Sequence, residues 1–297
     1  MDTREGLTAS VAERRNDMAW QYTPSVSVPD AEGHIERYRL LSAQARARHT
    51  MVGDVAYGRA PGARLDIFPA APGSPIHVFV HGGSWRRLDK RDHSFIADAL
   101  VPAGITTVLL NYDLCPRVAV ADIVAEIRAG LRWVYGHVGE ISHCAEAAAA
   151  DVPVSISGRS AGAHLVAAAL AADSGVAVLP PGRVPEVVLI SGVYELEPLL
   201  SIPVNQDLRL RADQVGEVSP MRHPILSRLP LHVLVGDAET PEMIGQSQRY
   251  AQACRAHGSH CTYQEMIGHN HFSAMRLFES PDGLLAKIVH AATRRSR

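Results

Sequence analysis

One short stretch constrains this chain more than any other. Val152-Pro-Val-Ser-Ile-Ser-Gly-Arg-Ser-Ala-Gly-Ala-His-Leu reads as a buried strand, a sharp turn and an alanine-rich helix. The turn itself, Gly158-Arg159-Ser160-Ala161-Gly162, has the form G-x-S-x-G. A serine held at a strand-to-helix corner crowds the positions two before and two after it, where only glycine lets the backbone pass. The same corner sets the hydroxyl at a helix N-terminus, where peptide N–H groups favour developing negative charge. Ser160 is therefore the candidate nucleophile. The bare pattern is common by chance; its strand and helix flanks set this copy apart.

Around it, apolar runs bounded by turn residues alternate with amphipathic stretches, which implies β-α-β units and a mostly parallel central sheet flanked by helices, an α/β fold. The clearest expected strands are Ile76–Val80, Thr106–Leu110, Val152–Ser157, Glu186–Ser191 and Leu231–Val235. Val120, Ile123, Val124, Ile127, Leu131 and Val134 have the three-and-four spacing of a helix packed on one face. Further helices are expected after Pro241 and over Gly283–Ala292. The first fifty residues differ, with a polar, Arg-rich helical pattern from Ile35 to His49. Residues 1–50 are expected to form a short helical cap or extension, serving as a lid or a dimer contact, and residues 51–297 the catalytic domain.

The strand from Ile76 ends in His81-Gly82-Gly83-Ser84-Trp85. Glycines directly after a strand free their N–H groups to face an oxygen. Gly82, Gly83 and Ser84, with the N–H of Ala161, are the candidate oxyanion hole; a plain turn is the bland alternative. His81 is read as a brace for this loop, and His164 as a packing residue beneath the site. A triad in a fold of this kind runs serine, acid, histidine along the chain. Asp237 and Glu239 both stand in the loop after Leu231–Val235, while His269 and His271 both stand before the last helix. Spacing separates neither pair.

With 31 acidic against 29 basic residues and a formal net charge of −2, nothing recruits nucleic acid or an anionic membrane surface. The opening Met-Asp-Thr-Arg-Glu-Gly has no apolar segment behind it, and the longest strongly apolar stretch, Leu165–Ala172, is far short of a membrane span. Cys115, Cys144, Cys254 and Cys261 show no metal or redox spacing, as expected of reduced thiols in a cytoplasmic protein. His257, His260, His269 and His271 lack supporting ligands at metal spacing, so no metal and no cofactor are expected. The expected partner is a small-molecule substrate, with a homodimer as the one assembly in view.

Taken together, HGGSW, GRSAGAHL, an acid loop containing Pro241-Glu242 and HNHF resemble the arylformamidase (kynurenine formamidase) branch of the α/β-hydrolases. The likeness extends over most of the chain, through Tyr22-Thr-Pro, Val28-Pro-Asp, Ser191-Gly-Val-Tyr-Glu-Leu-Glu-Pro198, Asn205 and Ser219-Pro220. Asn111-Tyr-Asp-Leu-Cys-Pro116 departs from it, with Asp113 where arginine is usual. The first two motifs are shared with hormone-sensitive-lipase-like esterases. The resemblance implies the α/β-hydrolase fold and a serine hydrolase with Glu239 as acid and Asp237 in reserve. It also implies His271, directly before phenylalanine, as base, and an N-formyl arylamine of the N-formylkynurenine kind as substrate, as in tryptophan breakdown. Trp20, Trp85, Tyr22 and Tyr194 are the aromatics available as pocket walls, with ordinary packing as the alternative. A carboxylesterase for short acyl esters and a non-catalytic binding module are the rival readings.

Overall fold

A computed structural model describes residues 16–171, 184, 186–225 and 230–295. The opening hexapeptide and the final residue of the Leu165–Ala172 stretch lie outside the described residues. Eight strands form one sheet: β1 (Val52–Ala56), β2 (Arg64–Phe68), β3 (Ile76–Val80), β4 (Thr106–Leu110), β5 (Val154–Arg159), β6 (Val187–Ile190), β7 (Leu231–Gly236) and β8 (Cys261–Met266). Their order is β1-β2-β4-β3-β5-β6-β7-β8, with β2 antiparallel to both neighbours and every later pairing parallel. The expected α/β architecture is what the chain adopts.

Strands β3 and β4 coincide with their expected spans because each is buried on both faces and apolar enough to read as strand. One polar residue breaks the pattern. His77 lies between Ser155 and Ser157 of β5, with its two ring nitrogens 2.8 and 2.7 Å from their hydroxyls. Those contacts satisfy a ring that has no access to water. Strand β5 starts two residues later than expected and runs on to Arg159, bringing the strand end directly to Ser160.

Helices cover both faces. On one, Val120–Gly136 lays its expected stripe, Val120 to Val134, against Val108, Leu110 and Ile156, alongside the helices Ala161–Ala169 and Pro241–Ala256. On the other, Ala31–Arg48, Ile96–Leu100 and Leu284–Arg295 pack on Phe79, Leu109, Val188 and Leu234. The Arg-rich helix docks through Ile35, Tyr38, Ser42 and Ala45, one stripe at helical spacing. Its arginines are spent on carboxylates of the body: Arg46 meets Asp66 at 2.8 Å and Arg48 meets Asp98 at 2.6 Å. Asp66 is fully buried and also takes Lys90 at 3.0 Å, so strand β2 is tied to the loop that follows β3.

No helix among the described residues is long and apolar enough to cross a membrane.

Candidate active site

Each element of the site stands at the C-terminal tip of a parallel strand. Ser160 follows β5 with φ 55° and ψ −121°, angles that cost a non-glycine residue about 1–3 kcal/mol. Its N–H is held by Ile190 O of β6 at 2.8 Å. A Cβ at Gly158 would stand 2.4 Å from Gly162 O, and one at Gly162 would stand 2.2 Å from Val80 O. Both glycines of the motif are thus needed for close approach.

His271 Nε2 lies 3.0 Å from Ser160 Oγ, and His271 Nδ1 lies 2.6 Å from Glu239 Oε2. The other carboxylate oxygen of Glu239 accepts the Ser191 hydroxyl at 2.5 Å and the Gly236 N–H at 2.8 Å. The glutamate side chain folds back over its own turn to do this, since Glu239 N–H donates to Gly236 O at 3.3 Å. Asp237 takes a different post: its carboxylate accepts the Gly268 N–H at 2.7 Å and splints the acid loop to the histidine loop. His269 Nδ1 donates to Ser273 O at 3.0 Å and shapes that second loop. Both pairs left open by spacing are therefore separated in space, with Glu239 and His271 brought to Ser160.

Val80 pairs with Gly158 across β3 and β5, so the loop after β3 runs beside the serine. A Cβ on Gly82 would stand 2.8 Å from Arg159 O. Gly83 has φ +124°, and a Cβ there would lie 1.8 Å from Arg87 O. Ser84 and Trp85 continue in left-handed conformations. Among the described residues no acceptor takes the N–H of Gly83, Ser84 or Ala161. His81 braces this loop, its ring 2.7 Å from Gly82 O and 2.9 Å from Asn111 Oδ1. His164 lies beneath, joining Trp85 Nε1 at 3.0 Å and Val218 O at 2.7 Å.

Three of the four aromatics named as pocket walls are held by packing or hydrogen bonds. Tyr194 is fully buried and stacked on Tyr250 at 4.1 Å, and Trp85 is buried against His164. Tyr22 is tied to the helix Pro241–Ala256 through Glu242 at 3.0 Å and Gln246 at 2.8 Å. All three serve packing and anchoring. Trp20 alone of the four lines a hollow at the site, one of about 50 Å³ beside Glu239 and His271. A second hollow, of about 20 Å³, lies directly against Ser160 and His271. Pro24, Ser25, Ser27 and Val28 roof the two. A larger hollow, about 570 Å³, is lined by Tyr135, His137 and Cys144. Tyr135 bonds Val154 O, so that hollow lies at the opposite end of β5 from Ser160.

Asp113 reaches none of this. It is buried, and its carboxylate accepts the Gly62 N–H at 2.8 Å. Among the described residues no group of three or more His, Cys, Asp or Glu is placed to hold a metal.

Burial holds His271 below its ordinary 6.5, helped by the nearby Arg159 charge, while Glu239 pulls the other way. Burial would raise the Glu239 carboxyl, but His271, Ser191 and the Gly236 N–H outweigh it and leave it below the usual carboxylate range. The resting site is thus a carboxylate, a neutral imidazole and a hydroxyl in one line. Such an array can take the hydroxyl proton as the oxygen attacks a carbonyl, beside N–H groups free to receive the oxyanion.

Two residues at the site went unassigned in the sequence. Ser191, also left-handed with φ 51°, points its hydroxyl at Glu239. Arg159 is buried beneath Ser160, donating from Nη2 to His271 O at 2.8 Å.

The BD-FAE family model matches residues 65–177. A kynurenine formamidase of Danio rerio is 28% identical over 294 residues, covering 93% of this chain and 95% of that protein. The esterase LipQ of Mycobacterium tuberculosis is 25% identical, covering 86% of this chain and 65% of its own length. Among solved structures, a Silicibacter sp. TM1040 protein provisionally named a thioesterase superposes with TM-score 0.78 and 25% identity, covering 92% of this chain and 99% of that one.

Proposed function

We propose that this chain, an arylformamidase-like hydrolase with the α/β-hydrolase fold, cleaves N-formyl arylamines of the N-formylkynurenine kind through Ser160. His271 takes the Ser160 proton as Oγ attacks the formyl carbon, and the oxyanion lies among the N–H groups of the Gly82–Ser84 loop and Ala161. Glu239 holds the imidazole in the tautomer that leaves Nε2 free and stabilises the imidazolium. His271 then protonates the departing aromatic amine. Water, deprotonated by the same imidazole, attacks the formyl-serine, releases formate and restores the hydroxyl. Every step runs on side chains and N–H groups of this chain.

The observation that carries the finer reading is the likeness to a kynurenine formamidase along 93% of the chain. The hollow against Ser160 agrees with it. Its 20 Å³ is room for little more than one water-sized group, one probe sphere needing about 10–15 Å³. A formyl group suits that space better than a longer acyl chain. Binding must then come from the amine side of the substrate.

The second reading, a short-acyl carboxylesterase, is favoured by the likeness to the esterase LipQ. The test is kcat/KM for N-formylkynurenine against p-nitrophenyl acetate, with Ser160→Ala as the blank. A strong formamide preference is the expected result. An ester preference with negligible formamide turnover overturns it in favour of the second reading.

A further inference from the structure

The hollow against Ser160 is lined by two arginines, Arg87 and Arg159, and by no carboxylate. Neither arginine forms an ion pair among the described residues, while their neighbours do: Arg86 with Asp207, Arg91 with Asp54, Arg37 with Glu279. Arg159 is 2% exposed. Its guanidinium lies 5.7 Å from the Tyr38 ring centre and 5.1 Å from that of Phe272, and among the described residues its Nε has no acceptor. A buried guanidinium without a counter-ion is costly, and this one stands directly under the nucleophile. The carboxylate nearest in function, Glu239, is already engaged by His271, Ser191 and Gly236.

Arg87 is half-buried at the other side of the same hollow. Its position is set by the oxyanion loop, because its N–H donates to Gly83 O at 3.1 Å and its own carbonyl lies against Gly83. Its side chain therefore starts from a fixed point beside the reacting carbonyl, with its charge unspent.

We propose that Arg87, backed by the buried charge of Arg159, receives a carboxylate on the leaving group, so that the substrates are anionic arylamides or aryl esters. A planar guanidinium meets a carboxylate through paired N–H donors, which gives direction as well as attraction. The proposal rests on Ser160 being the nucleophile of an acyl hydrolase, and not on the acyl group being formyl. Arg87 is here a specificity residue; Arg159 acts on the substrate through its field, and on His271 through the bond to its carbonyl.

The test pairs substrates that differ by one carboxylate: formanilide against 2- and 4-formamidobenzoate, and phenyl acetate against 4-acetoxybenzoate. Rates are read at about pH 7.5, where benzoates are ionised. In the unmodified protein the anionic member of a pair is expected to have kcat/KM higher by about tenfold or more. That advantage shrinks as salt rises from about 20 to about 500 mM. In Arg87→Gln the ratio falls to within about threefold of one, and Arg87→Lys restores part of it. Calorimetric binding of 4-aminobenzoate and aniline to Ser160→Ala gives the same ratio without turnover. A ratio near one in the unmodified protein, or one that survives Arg87→Gln, overturns the proposal. If formamides are left uncut while the ester pair shows the ratio, the formamidase reading fails and the anion preference stands.

Discussion

Replacing Glu239 by glutamine keeps the shape of the side chain and turns one acceptor into a donor. The structure dictates how the new amide must lie. Oε1 of Glu239 accepts both the Ser191 hydroxyl and the Gly236 N–H. The backbone N–H can only donate, so the glutamine oxygen must stay there. Its NH2 then faces His271 Nδ1, now 2.6 Å from Oε2. Two donors cannot share that gap, so the imidazole shifts its proton to Nε2 and presents a bare Nδ1. Nε2, 3.0 Å from Ser160 Oγ, is then unable to accept the serine proton. A wrong tautomer with geometry preserved costs about 10,000-fold in kcat, or about 5.5 kcal/mol of transition-state stabilisation. Asp237→Asn is the matched control, because among the described residues its carboxylate accepts the Gly268 N–H alone and a loss within about fivefold is expected. Both variants are compared with the unmodified enzyme by steady-state kcat on the better substrate, with circular dichroism melts to verify folding. A Glu239→Gln loss below about tenfold, or an equal loss in Asp237→Asn, refutes the tautomer reasoning.

Because burial lowers His271 from 6.5, the acid limb of kcat/KM should have its midpoint below that value, activity falling as the imidazole protonates; a midpoint above it contradicts the assigned base. His77 is pushed down by burial to about 3 and His164 to about 4, so each is neutral when folded and gains a proton more readily when unfolded. Stability is therefore complete above about pH 6.5 and declines as pH drops from there toward those folded values, a slope that urea melts across that range measure and that His77→Gln should flatten. Gly162→Ala sets a methyl 2.2 Å from Val80 O and 2.4 Å from His81 O, and is expected to destabilise by about 1–3 kcal/mol as the elbow helix is pushed off β3; an unchanged melting temperature would mean that contact has slack.

The central strands were legible because β3, β4 and β7 are short apolar runs closed by turn residues, and burial on both faces leaves no other reading. The edges were not. β1 is almost wholly exposed, and β8 alternates polar Thr262 and Gln264 with buried or half-buried neighbours, so neither shows an apolar run. Ser160 was legible because strand, glycines and helix all point to one residue. Choosing Glu239 over Asp237 needed the family resemblance, because the deciding fact, a side chain curled back onto Gly236, is not encoded in spacing. The placement of the aromatics was not legible for a related reason. Composition offers few large rings, but burial and hydrogen-bond partners decide which of them faces the site, and Tyr194 and Trp85 are taken by Tyr250 and His164. Arg159 occupies the variable position of its motif, where sequence imposes nothing.

The segment over the site and the loop that carries the acid are stitched to each other. Gln21 O accepts the Thr240 hydroxyl at 2.6 Å, Gln21 Oε1 accepts the Glu242 N–H at 3.1 Å, and Tyr22 reaches Glu242 and Gln246. For protein engineering, this makes the roof a poor candidate for independent exchange. A roof grafted from a relative to change substrate range would pull on Thr240, one residue beyond Glu239, and so disturb the reaction centre while redrawing the pocket. The transplantable unit is residues 17–28 together with 237–246, two stretches far apart in the chain that have to be inherited as one.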